Sequence, residues 1–301
     1  MSDNFDNLIK PKECCGSNIK EYYSAALKNR DKNRYKDVVP YNQYRVILNI
    51  SNDSKNSKES DYINASHLPG INGNETYISC QAPLPSTILD FYNMILDNNI
   101  SVIVMLTKLM GKNGEVKAHC YWPKKTYKLY DIEIKLVSTC NIEDIIIIRK
   151  LQITRDDEDP KIVHQLHYKG WPDKDKPEND NLFLQLISLT RNLHNDGTKL
   201  LAHCSAGIGR AGTFLAIYSY IEYYLSGNPE NVFDIVNNFR KQRLGMVQTE
   251  GQYNYIFEIS KKYLHILGCD INDMNDDDSG DDIDNDYSSS SFDNMSAMNL
   301  F

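Results

Sequence analysis

Two kinds of periodicity divide the chain. SVIVMLTK (101–108) and IIIIRKLQIT (145–154) are β-branched apolar runs of strand length, and KIVHQLHY (161–168) alternates apolar and polar positions as a half-buried strand does. Val46 to Leu48 is a further short apolar run. The polar stretch NISNDSKNSKES that follows reads as a loop between strands rather than a domain boundary. Later the period becomes helical, at Asn181–Leu193, Gly212–Leu225, Asn231–Arg240 and Thr249–Leu267, with one modest helix, Asn18–Leu27, ahead of the charged loop NRDKNRYKDVVP. A strand-rich first half followed by a helix-rich second half predicts an α/β (α+β) fold, a twisted mixed β-sheet flanked by helices. No internal repeat is visible.

The 301 residues, 41% apolar and 25% charged, suffice for one large core and exclude wholesale disorder or a disulfide-stapled miniprotein. No window of about 18 uncharged apolar residues exists, and MSDNFDNLIKPKECC lacks the apolar run of a secretory signal. A protein without a membrane span, in the cytoplasm, is expected. The net charge of -8 is unevenly spread. Ten of the 41 acidic residues and none of the 33 basic ones fall in 270–301, which leaves residues 1–269 slightly basic, with 33 cations against 31 anions. The acidic, serine-rich segment 270–301 is expected to be a disordered tail without a specific partner, the alternative being a tail that lies over a basic site and competes with anionic substrate. The balance in 1–269 suits an anionic substrate but lacks the basic stripe of a nucleic-acid binder. Seven cysteines, an odd number with no C-x-x-C pair, suggest reduced thiols and give structural zinc no support.

The strongest chemical signal is KLLAHCSAGIGRAGTF, Lys199 to Phe214. A short strand, Leu200 to Ala202, runs into His203 and Cys204, then Ser205, Ala206, Gly207, Ile208 and Gly209, then Arg210 at the start of a helix. Two glycines let such a loop turn successive N–H groups inward, and the helix start adds free donors and a positive dipole end. That is a nest for a tetrahedral anion. Arg210 adds a planar pair of donors, and Cys204 in this positive field is expected as a thiolate, a nucleophile beneath a bound phosphate and a target for peroxide. Taken singly, a Cys after a strand or Gly-x-Gly before a helix is ordinary in an α/β core; the conjunction in one stretch is not. A Walker-type loop is excluded because no Lys-Ser/Thr pair follows the glycines.

HCSAGIGRAG resembles the active-site signature of the protein tyrosine phosphatases, a His-Cys, five residues, then Arg. Other segments resemble the family in the same order: KNRYKDV (32–38) its phosphotyrosine-recognition loop, DYINAS (61–66) and QAPLPST (81–87) its core motifs, YWP (121–123) a landmark, WPD (171–173) its mobile acid loop and QTEGQY (248–253) its glutamine loop. The resemblance covers about residues 18–266 and sets a catalytic domain at 1–269, with 270–301 as the tail. It implies hydrolysis of phosphotyrosine in proteins, without metal or cofactor, as part of signalling. Cys204 would attack phosphorus, Asp173 would protonate the leaving phenolate, and Arg210 with the N–H groups of residues 205–209 would hold the equatorial oxygens. Gln248 and Gln252 would hold the water that ends the cycle. Tyr35 would pack on the substrate ring and Asp37 would accept from substrate backbone N–H groups. A pocket of that depth leaves phosphoserine short of Cys204, and Gly245 leaves its entrance open. His203 would brace the loop, while His119, His164, His167, His194 and His265 read as structural.

Three positions depart from the family pattern. Ala211 stands where the family has Ser or Thr after the arginine, which predicts a slow second step. Lys174 follows the lid acid where an apolar residue is common, which predicts less favourable lid closure. Gly111 stands where a Glu pairs with the arginine, and Glu115 is the residue available to replace it. The alternatives are a phosphotyrosine-binding pseudophosphatase with little turnover and a dual-specificity phosphatase.

Overall fold

A computed structural model describes residues 5–9, 19–49 and 60–269. The predicted tail and Cys14 and Cys15 lie outside the described residues. Nine strands form one sheet: β1 (Arg45–Ile47), β2 (Tyr62–Pro69), β3 (Glu75–Cys80), β4 (Ile100–Met105), β5 (Thr126–Leu129), β6 (Ile132–Ile142), β7 (Ile146–Arg155), β8 (Lys161–Tyr168) and β9 (Lys199–His203). Their order across the sheet is β1-β2-β3-β9-β4-β8-β7-β6-β5. The centre, β3-β9-β4-β8, is parallel and both flanks are antiparallel, so the sheet is mixed as expected.

The helices are α1 (Ile19–Tyr22), α2 (Ser24–Lys28), α3 (Ile88–Asp97), α4 (Asp180–Leu193), α5 (Arg210–Leu225), α6 (Val232–Gln242) and α7 (Glu250–Ile266). The helix read over 18–27 is two short pieces broken at Tyr23. The four C-terminal helices fall within two residues of their expected bounds, because side chains cap three of them. Asn179 accepts from the Leu182 N–H, Asn231 from Asp234 and Thr249 from Gln252. The helix at 88–97 and the strands β2, β3, β5 and β6 had no individual prediction. β6 opens with the same apolar–polar alternation, IEIK, that marks a half-buried strand, and only its outer half, VSTCNI, has few strongly apolar residues.

Parallel strands are covered on both faces, which is why β4 reads as an unbroken apolar run. Val102 and Val104 pack with Phe183, Phe214 and Ile217 of α4 and α5 on one face. Ile103 and Met105 pack with Phe91 and Tyr92 of α3 on the other. α5 is buried along nearly its whole length and has no polar face to give away its orientation. The C-terminal ends of β3, β9, β4 and β8 open on one edge of the sheet, where open α/β sheets bind ligands. The segments that leave those four ends build the site.

Candidate active site

Cys204 follows β9 and is 3% exposed, with the Gly207 N–H directed at its Sγ (3.3 Å). Gly207 is left-handed (φ 73°), and a Cβ there would strike the Cys80 carbonyl, so only glycine fits. The loop is gripped from behind through its carbonyls. Ser79 Oγ donates to Gly207 O (3.0 Å), and Arg243 donates from Nε to Gly207 O (2.7 Å) and from an Nη to Ala206 O (3.0 Å). With those carbonyls turned back, the loop N–H groups face forward. Arg243 is 1% exposed and also holds Asn64 Oδ1 (2.8 Å). Burial lowers its pKa, and among the described residues its partners are carbonyl, amide and hydroxyl oxygens rather than a carboxylate. At the start of α5 Gly209 supplies no side-chain acceptor, which leaves the first-turn donors to the loop's front. Ala211 is fully buried and also offers no hydroxyl.

A directed chain of hydrogen bonds supports the other side. Arg149 donates to Gln165 Oε1 (2.8 Å), which fixes the amide so that Gln165 Nε2 donates to the Tyr121 oxygen (2.6 Å). Tyr121 then donates to His203 Nε2 (2.9 Å), and Nδ1–H points to the Cys204 carbonyl (3.2 Å). Burial pushes the His203 pKa down to about 3, so the ring is neutral and braces rather than transfers protons.

Asp173, the expected acid, stands beside Arg210. Trp171 is 3% exposed, packs on Phe183 (5.1 Å between centroids) and donates to the Asp175 carbonyl (2.6 Å), which pins both ends of the lid turn. Arg210 donates to the Trp171 carbonyl (3.2 Å) and lies 3.3 Å from Asp173 Oδ1; Lys117 holds Asp173 Oδ2 at 2.7 Å. Partial burial raises the Asp173 carboxyl, but the Lys117 hydrogen bond and the charges of Arg210, Lys117 and Lys174 outweigh it and leave the pKa below the usual value. Glu115 pairs with Lys117 (3.3 Å), and the carboxylate on Arg210 is Asp173. Lys174 is exposed and left-handed (φ 61°). A cavity of about 290 Å³ lies against Arg210, Asp173, Trp171, Lys117 and Glu115. A larger one, about 510 Å³, includes Cys120 and Trp122 but none of Cys204, Arg210 or Asp173.

The recognition segment forms the opposite wall. Ser205 Oγ donates to the Lys117 carbonyl (2.7 Å), so the Tyr35 hydroxyl donates to Ser205 Oγ (2.8 Å). Arg34 donates to the carbonyls of Ala82 (3.1 Å) and Pro83 (2.9 Å), and the Ala82 N–H donates to Ser205 O (3.0 Å), which ties this wall to the loop. Asp37 is exposed. Ala206 and Ile208 complete the loop, Ile208 6% exposed beside Gly245. Gln248 is exposed and its Oε1 stands where a side chain on Gly209 would go. Gln252 is buried: its Oε1 accepts from the Gln248 N–H (3.0 Å) and its Nε2 reaches the Asp175 carbonyl (3.4 Å), so it links the glutamine turn to the lid. Val247, just before Gln248, is left-handed (φ 61°). For a β-branched residue that conformation costs about 1–3 kcal/mol.

The structure thus brings Asp173 to Arg210, Tyr35 to Ser205 and Gln248 to Gly209, three contacts along the loop that carries Cys204, while the cavity of about 290 Å³ is lined by Arg210 and Asp173 but not by Cys204. Arg243, Arg149, Gln165 and Lys117 were missed. An isolated buried cation has no local signature, although Arg243 lies only five residues before Gln248. Among the described residues no cluster of three or more His, Cys, Asp or Glu is arranged for a metal, and no helix is long and apolar enough to cross a membrane.

A buried cysteine and an arginine at the two ends of one strand-to-helix loop, with a carboxylate on the arginine, is the arrangement expected of a cysteine-dependent phosphatase. The chain belongs to the protein-tyrosine phosphatase family, whose model matches residues 29–262. It is 37% identical over 249 residues to tyrosine-protein phosphatase non-receptor type 20 of Mus musculus, covering 80% of this chain and 55% of that protein. It is 34% identical over 244 residues to the receptor-type phosphatase eta of Homo sapiens, covering 78% and 18%. The chain therefore spans about half the length, or less, of these curated relatives. The crystal structure of the catalytic domain of human non-receptor type 18 superposes with a TM-score of 0.74 at 33% identity, covering 80% of this chain and 87% of that one. A complex of that phosphatase with HER2 phosphopeptides gives a TM-score of 0.74 at 32% identity, covering 83% and 85%.

Proposed function

We propose that this chain hydrolyses phosphotyrosine in proteins through a cysteinyl-phosphate. The observation that carries the reading is that Cys204 and Arg210 stand at the two ends of one loop gripped through its carbonyls, with Asp173 3.3 Å from Arg210. In the first step the Cys204 thiolate forms the S–P bond as the P–O bond to the phenol breaks, and Asp173 gives its proton to the departing oxygen. Arg210 and the N–H groups of 205–209 hold the three equatorial oxygens. In the second, a water held by Gln248 forms the new P–O bond, Asp173 takes its proton, the S–P bond breaks and inorganic phosphate leaves. Gln252 serves by fixing the Gln248 backbone.

Asp173 must be protonated for the first step, and in the free protein Lys117 and Arg210 favour its ionised form. A phosphate dianion on Arg210 offsets that charge, which shifts the Asp173 pKa upward and eases uptake of a proton from solvent. Tyr35 and the wall behind it set the depth for phosphotyrosine, and Asp37 is free to accept from a substrate backbone. Non-receptor type 18 in complex with phosphopeptides supports a protein substrate. We take 1–269 as the catalytic domain and 270–301 as a tail with no partner assigned. The free thiols of Cys80, Cys120, Cys140, Cys204 and Cys269 fit a reducing cytoplasm, with Cys204 open to reversible oxidation by peroxide.

Ala211 favours a second reading, a phosphotyrosine-binding protein of low turnover, because no hydroxyl at that position assists the thiolate leaving group. Phosphate release from paired phosphotyrosine and phosphoserine peptides separates the readings. Release from phosphotyrosine alone, abolished by Cys204→Ser, supports the enzyme; binding without release supports the second reading, and release from both peptides a dual-specificity enzyme.

A further inference from the structure

The turn that carries Gln248 is held from an unexpected direction. Buried Val247 is left-handed, a conformation that persists only while its surroundings over-determine it. One grip is its own N–H on the Ile208 carbonyl (3.0 Å). The other is Arg240, which donates from Nε to Met246 O (2.9 Å) and from an Nη to Val247 O (2.7 Å). The other Nη of Arg240 donates to the carbonyl of Ile9 (3.2 Å), 231 residues upstream, and the guanidinium lies over the Phe5 ring, 5.2 Å from its centroid.

Residues 5–9 are themselves anchored. Leu8 is 1% exposed in the core, and the Ile9 N–H donates to Asn237 Oδ1 (3.0 Å). The Phe5 ring lies 6.0 Å from that of Tyr253, which follows Gln252 on α7. The segment therefore closes on both flanks of the glutamine turn, the Arg240 side and the α7 side. Most supports of the first step are different: Arg243, Ser79, Lys117 and Trp171 are tied to the loop 205–210 and the lid, which the turn meets through the Val247 N–H on Ile208 O and Gln252 Nε2 on Asp175 O, bonds that residues 5–9 do not make.

We propose that residues 5–9 form a positioning strap which, acting through Arg240, holds Gln248 for hydrolysis of the cysteinyl-phosphate and leaves its formation untouched. This rests on the cysteinyl-phosphate reading given above. Released from the strap, Arg240 loses its outer partners, the Val247 turn relaxes toward an ordinary conformation, and Gln248 shifts with it.

Rapid-quench kinetics on the full chain, with a phosphotyrosine peptide, give the formation and breakdown rates separately. The variants are the double Phe5→Ala, Leu8→Ala, the single Arg240→Lys, and each of these combined with Val247→Gly. A displacement of about 1 Å at a reacting group costs on the order of 10²-fold, and partial release of the turn predicts a breakdown rate about tenfold lower with formation unchanged within about twofold. Val247→Gly, which permits the left-handed turn without a grip, restores breakdown. Loss of both rates by one factor, an unchanged breakdown rate, or no rescue by Val247→Gly overturns the proposal. If the double variant fails to fold, Arg240→Lys carries the same comparison. Absence of any cysteinyl-phosphate in the parent chain overturns the functional reading and the strap's role together, whereas its presence with unaltered breakdown overturns the strap alone.

Discussion

The ammonium of Lys117 lies 2.7 Å from Asp173 Oδ2, in a hydrogen bond that favours the ionised form of the residue assigned as the general acid. The sign of its effect on the pH profile follows. Removing Lys117 removes a donor and a positive charge, the Asp173 pKa rises, and the acid stays protonated to higher pH. In Lys117→Met the alkaline limb of kcat/KM is expected to move upward in pH. A limb that stays in place or moves downward, measured on an aryl phosphate, contradicts the assignment.

Arg243 holds the phosphate loop by its carbonyls. Arg243→Met leaves Ala206 O and Asn64 Oδ1 without this donor, at about 1–3 kcal/mol for each buried acceptor left unsatisfied, while Gly207 O keeps only Ser79 Oγ. With the loop N–H groups no longer aimed, kcat/KM is expected to fall by about 10²–10³, the scale of losing a preorganised oxyanion donor. Vanadate affinity should fall in parallel. Full vanadate affinity in the folded variant would show that the grip is unnecessary.

The buried histidines set the acid limit of stability. His203 has a pKa near 3 and His167 near 4 in the folded protein, against 6.5 for the ordinary side chain. Both are lowered by burial, so below pH 6.5 the unfolded chain binds protons that the folded one refuses. Stability is therefore full above about pH 6.5 and declines as pH falls toward 3–4. Urea midpoints from pH 7 to pH 4 are expected to drop, and His203→Asn should flatten part of that slope. A midpoint independent of pH in this window would rule out neutral buried rings.

Ala211 offers no hydroxyl to the departing thiolate, so breakdown of the intermediate should limit turnover. A burst of phenol release is expected in the parent chain, and Ala211→Ser should raise kcat and shrink the burst. An unchanged kcat and burst would remove Ala211 as the cause.

Much of this was legible in local runs of sequence. The loop 203–210 is one continuous stretch, and β4 and β7 carry much of their burial in β-branched residues, whereas β8 buries Gln165, Leu166, His167 and Tyr168 and exposes Ile162. The four C-terminal helices were legible through period and caps. What escaped depends on distance along the chain. Arg243 reaches the back of the phosphate loop 36 residues away in sequence, and Gln165 acts on Tyr121 from 44 residues away. Neither has a neighbour that betrays its partner. Lys117 was hidden for another reason: the family pattern directs attention to a carboxylate for Arg210, whereas here Glu115 turns to Lys117 and Asp173 takes the arginine. Residues 5–9 are weakly patterned, and their contacts with Arg240, Asn237, Tyr253 and the core around Leu8 all lie far along the chain.

The most direct test is to mix the full chain with a peptide carrying ³²P-labelled phosphotyrosine, quench in acid within milliseconds, and map the label by proteolysis and mass spectrometry. The account predicts one phosphorylated residue, Cys204, absent in Cys204→Ser and lost on the timescale of turnover. A label on any other residue, or phosphate released with no labelled protein at any time, would contradict it.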